Sequence, residues 1–66
     1  MNKGKEQRRL KGLRVELNIT QKELAALVGI SERAFSFKES GKTEFLYSEA
    51  KRISEILDKP IEDIFL

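Results

Sequence analysis

Apolar residues recur along the chain at helical spacing, in short blocks separated by polar breaks. Leu10, Leu13 and Leu17 follow an i, i+3, i+7 pattern and predict a first helix over 5–17. Arg8, Arg9 and Lys11 fall mostly off that face, and Asn18 suits a left-handed stop. Arg14 lies near the apolar stripe, where a charge is costly unless it is paired or its stem snorkels to water. Leu24, Ala25, Leu27 and Val28 predict a second helix over 21–28, and Ala34 and Phe35 the inner face of a third over 32–40. Phe45-Leu46-Tyr47 is too apolar for an idle loop and is expected to fold onto the core or onto a partner. Ala50, Ile53, Ile56 and Leu57 mark a fourth helix over 49–57, with Ser48 as its cap. Asp58-Lys59-Pro60 breaks it, and Ile61, Ile64 and Phe65 mark a last short turn over 61–65. The pattern predicts an all-α domain of five short helices around one core, with no strand signal and no internal repeat.

The breaks around the second and third helices are the best specified. Thr20 can accept from an exposed N–H of the second helix, and Glu23 can reach back to the Thr20 amide, which makes a capping box. Ile19 and Leu24 stand at hydrophobic-staple spacing. Ser31 repeats the cap, and Ile30 and Phe35 repeat the staple. Gly29 between them is free to take positive φ, and Ala25 is small enough for a close crossing. Gly41 supplies the next stop. Two helices over 20–41 joined by so sharp a turn form either a helix-turn-helix or an ordinary helical hairpin.

Composition narrows the function classes. Sixty-six residues make one domain with a small core, which oligomerisation or a ligand would help to stabilise. Without cysteine or histidine there is no disulfide framework, no cysteine zinc site and no imidazole base. Glu62-Asp63 is the one adjacent carboxylate pair, and neighbours on a helix point about 100° apart, which argues against an enzyme. No metal, cofactor or small-molecule ligand is expected. No apolar run approaches the roughly 20 residues of a membrane span, and the charged start MNKGKEQRRLKG lacks a signal-peptide core. A cytoplasmic location is the expectation. The net charge of +2 is uneven: residues 1–33 carry eight basic and four acidic side chains, residues 34–66 five and seven. Such a bias suits a protein that turns one end to a polyanion, and equally an ordinary solvated surface.

Gln21, Leu24, Ala25, Val28, Gly29, Ile30 and Phe35 together resemble the DNA-binding helix-turn-helix of the phage repressor and Cro family. TQKELAALVGIS, ESGK and a closing IEDIF extend the resemblance over nearly the whole chain. It implies the compact five-helix fold of phage-repressor DNA-binding domains; residues 1–4 ahead of it read as a flexible basic arm. In that family the helix after the turn enters the major groove. Carried over, the base readers are Glu32, Arg33, Ser36 and Phe37. Arg33 suits guanine O6 and N7, Glu32 suits cytosine N4, and Ser36 suits several bases. Phe37 departs from the polar residue common there; it presses on a thymine methyl or fills protein. Phosphate contacts fall to Gln21, Ser31, Ser40 and Lys42, helped by helix N-terminal amides. Lys3, Lys5 and Arg9 add sequence-independent attraction or simply solubility.

The resemblance further implies an ion pair between Arg14 and Glu39 that locks the third helix against the first. Lys38 departs from the large apolar residue usual at its position, and its stem is expected to cover apolar surface while its ammonium reaches water. The implied function is that of a Cro-like repressor, a homodimer on a palindromic double-stranded operator. Ile64, Phe65 and Leu66 are the expected dimer contacts. The rival is a protein-binding adaptor, antirepressor or antitoxin module that presents Phe37, Phe45, Leu46 and Tyr47.

Overall fold

The computed structural model describes residues 5–65; the expected arm at 1–4 and Leu66 lie outside them. Five helices follow one another: α1 (Arg8–Glu16), α2 (Gln21–Val28), α3 (Glu32–Ser40), α4 (Tyr47–Leu57) and α5 (Ile61–Ile64). No strand occurs among the described residues. The fold is all-α, as the periodicity requires.

α2 and α3 begin and end where their caps place them. The Glu23 amide donates to Thr20 Oγ1 at 3.0 Å, and the Thr20 amide donates to Glu23 Oε1 at 2.9 Å. Ser31 Oγ accepts from the Ala34 amide at 3.0 Å. Gly29 and Gly41 close the two helices at φ +93° and +89°, a region where a Cβ would be strained. Asn18 and Asp58 take the same left-handed conformation at the ends of α1 and α4.

The core is Leu10 from α1, Leu24 and Ala25 from α2, Phe35 from α3, Ala50, Ile53 and Leu57 from α4, and Ile64 from α5. Phe45 and Phe65 complete it. Phe45 lies edge-on to Phe35 at 5.7 Å and to Phe65 at 5.3 Å, so three rings run through the centre in T-shaped contacts.

Several expectations are corrected. α1 starts at Arg8 rather than residue 5, because 5–7 lie against the end of α3 instead of extending the helix. The Gln7 amide donates to the Glu39 carbonyl at 2.9 Å there. Ser48 lies inside α4, which starts at Tyr47, with Glu49 Oε1 accepting from the Leu46 amide. Leu17 and Leu27 are half exposed. Leu17 comes after the last turn of α1, and Leu27 sits at the edge of the Leu24–Ala25–Val28 stripe. Ile64 is fully buried and Phe65 nearly so, both enclosed in the core of the chain rather than open for the expected dimer contact.

Candidate nucleic-acid interface

One buried carboxylate fixes how α3 sits. Arg14 and Glu39 are 8% and 3% exposed, so neither charge has water to fall back on. Arg14 Nε donates to Glu39 Oε2 at 3.0 Å and Nη2 to Oε1 at 3.1 Å, a two-point contact in fork geometry. Arg14 Nη1 donates to the Ile19 carbonyl at 2.9 Å, tying in the turn before α2. Gln21 Nε2 donates to Glu39 Oε1 at 2.8 Å, which adds the first residue of α2. No buried side-chain polar atom among the described residues lacks a partner.

Away from the core, α3 is more open. Glu32 and Arg33 are exposed; Ser36 and Phe37 are half-buried. Gln21, Ser36 and Ser40 come together with Glu6, Lys11 and Glu39 around one small polar recess. Arg33 and Lys42 meet instead at Phe37. The Arg33 guanidinium carbon lies 5.4 Å and Lys42 Nζ 5.0 Å from the ring centroid, both over the ring. The Phe37 carbonyl accepts from Ser40 Oγ at 3.0 Å and from the Lys42 amide at 2.9 Å. The turn after α3 is therefore pinned to Phe37 at both backbone and ring.

Two features escape sequence reasoning. Lys38 does not snorkel: its Nζ donates to both Glu49 oxygens, at 2.6 and 2.8 Å, with both side chains largely buried. This pair joins α3 to α4 while Glu49 also caps α4 at Leu46. Residues eleven apart on different helices leave no periodic signal. The other is Gly41. A Cβ there would stand 2.6–2.8 Å from the backbone of Lys5, so the glycine lets the N-terminal segment lie on the end of α3. For the ring contacts a signal did exist: Arg33 and Phe37 are i, i+4 neighbours.

Phe45 is buried while Leu46 and Tyr47 are 61% and 66% exposed, so the Phe45–Tyr47 run divides between core and surface. No group of three or more His, Cys, Asp or Glu that could hold a metal gathers among the described residues. No described helix is long and apolar enough to cross a membrane.

The model of the helix-turn-helix family matches residues 10–64. The chain belongs to that family, in its phage repressor and Cro form. An uncharacterized HTH-type transcriptional regulator of Archaeoglobus fulgidus is 38% identical to this helix-turn-helix protein over 58 residues, 88% of this chain and 82% of that one. The crystal structure of the restriction-modification controller protein C.AhdI from Aeromonas hydrophila superposes with a TM-score of 0.80 at 24% identity, covering 88% of each chain. That likeness concerns the fold. By its family the helix-turn-helix protein is a DNA-binding transcriptional regulator.

Proposed function

We propose that the protein is a Cro-like repressor that binds a palindromic operator as a dimer and excludes the transcription machinery by occupying it. The observation that carries this reading is α3 itself: it is locked to α1 by the buried Arg14–Glu39 pair and leaves Glu32 and Arg33 exposed and Ser36 and Phe37 partly so. Arg33 reads guanine through paired N–H donors, Glu32 accepts from cytosine, Ser36 bonds a neighbouring base, and Phe37 forms the apolar part of the same face.

Phosphates are held around that helix. Gln21 gives one amide hydrogen to Glu39 and keeps the second for an anion. Ser31 Oγ accepts from Ala34, which leaves its proton to donate. Lys42 supplies charge. Ser40 spends its proton on the Phe37 carbonyl, so it contributes to phosphate binding only by releasing that bond. The dimer contact is assigned to Leu46 and Tyr47, whose apolar surface stays open while Ile64 and Phe65 are enclosed.

Selection of bound duplex from a random pool tests the reading. The expected product is a palindrome whose half-sites lie about 34 Å apart, one turn of DNA. Arg33→Ala should then relax preference at one base pair per half-site, at a cost of about 1–3 kcal/mol, whereas Lys42→Ala should weaken all sequences alike. Recovery of no preferred duplex would reject the proposal.

A further inference from the structure

Phe37 stands where a polar base reader is usual, and its surroundings give it another task. Its ring carries the Arg33 guanidinium at 5.4 Å and the Lys42 ammonium at 5.0 Å. Its carbonyl receives Ser40 Oγ and the Lys42 amide, with the Thr43 amide beyond them at 3.4 Å. One residue thus anchors a side chain from the first turn of α3 and the backbone and side chain of the turn that follows α3.

We infer that Phe37 is a positioning residue: it holds Arg33 and Lys42 in place before DNA arrives and thereby sets the specificity that Arg33 expresses. The inference rests on the DNA-binding reading above and deepens it. Its chemistry is consistent with that of the two cations. A guanidinium has five N–H donors, so one that rests over an aromatic ring still has donors for a base edge. Arg33 can therefore contact the ring and read a base together. Lys42 reaches the ring from the turn, so its side-chain freedom is already restricted before it meets a phosphate. The two charges lie no more than about 10 Å apart, a Debye length at 0.1 M salt, and so favour an anion placed near both. Side chains ordered in advance lose less entropy on binding, which raises affinity without a new contact to the DNA.

The test uses the whole chain and the duplex recovered by selection. Phe37→Leu keeps apolar bulk and removes the ring; Phe37→Tyr keeps the ring. Phe37→Leu should lower discrimination at the base pair assigned to Arg33 by about 2- to 5-fold, the worth of an exposed cation–ring contact. Phe37→Tyr should retain it. In a double-mutant cycle, Phe37→Leu should add no loss of discrimination at that pair once Arg33 is Ala. In the free protein, the ring-current shifts of the Arg33 and Lys42 side-chain protons should vanish in Phe37→Leu and persist in Phe37→Tyr, while helix content by circular dichroism stays that of the parent. Additive effects of the two substitutions, or unshifted side-chain protons in the parent, would overturn the inference. So would a loss of affinity when deoxyuridine replaces thymidine that disappears in Phe37→Leu, because Phe37 would then read a methyl group itself. Failure to select any duplex would instead remove the DNA-binding reading, and this inference with it.

Discussion

Glu39 shows what a single side chain decides here. Its carboxylate accepts two bonds from Arg14 and one from Gln21, almost wholly out of water. Removing one partner of such a pair leaves the other charge buried and alone, a loss of about 3–5 kcal/mol. Glu39→Ala should lose that much in urea unfolding, much of the stability that a chain of this size possesses. Unfolding at the parent's midpoint would show that the pair contributes nothing. Glu23 offers a gentler probe. The Thr20 amide, and its hydroxyl second, hold the Glu23 carboxyl below its ordinary value. A depressed folded-state value means that the carboxylate stabilises the fold above the unfolded value and ceases to as pH falls through the folded one. Glu23→Gln keeps the capping geometry without the charge. The melting-temperature gap between parent and variant should therefore be open at pH 7 and narrow as pH falls from the ordinary glutamate value through the lower folded one. A gap that is unchanged once the carboxyl is fully protonated would discount the charge.

Whole helices divide by where their ends are decided. α2 and α3 were legible because Thr20, Glu23, Gly29, Ser31 and Gly41 carry their own stop and start chemistry. The starts of α1 and α4 were not, because Gln7 and Leu46 offer no capping side chain. α1 begins where the chain leaves the Glu39 carbonyl, and α4 where Glu49 reaches back, and both depend on the finished fold. The same holds for the site. Arg33 and Ser36 follow from their positions on α3, whereas the Lys38–Glu49 pair arises from the packing of α3 on α4. The enclosure of Ile64 and Phe65 likewise reflects how α5 meets the core, not any feature of the closing residues alone. The two turn glycines permit a graded comparison. At Gly29 an added Cβ meets nothing within 4 Å, so alanine suffers only the left-handed strain, about 1–2 kcal/mol. At Gly41 the same strain is joined by collision with the Lys5 backbone. Gly41→Ala should be the more destabilising of the two in urea unfolding, and should also speed amide exchange at Gln7. Equal effects at both positions would mean that the Lys5 contact carries no weight.

At the scale of the molecule, the chain measures 25 × 23 × 20 Å, shorter than a turn of DNA at about 34 Å. The proposed palindromic operator therefore calls for two copies side by side to reach successive grooves on one face. Tyr47→Asp places a charge in the assigned contact and should shift sedimentation to monomer while leaving the fold intact; an unchanged dimer would move the contact elsewhere. Salt separates DNA binding from the adaptor alternative, for which the buried Phe45 leaves Phe37, Leu46 and Tyr47. Affinity carried by six or more phosphate contacts should fall by roughly 10³ or more between 50 and 200 mM salt, and a flat response would indicate a protein partner. The convergence of three helices on Glu39 also bears on any attempt to retarget the protein. Gln21 serves the scaffold and, in the proposed reading, the phosphate as well, so a library that varies it confounds misfolded clones with non-binders. Diversity belongs at positions 32, 33 and 36, with 14, 21 and 39 held constant, and new operators should then be reachable without rebuilding the chassis.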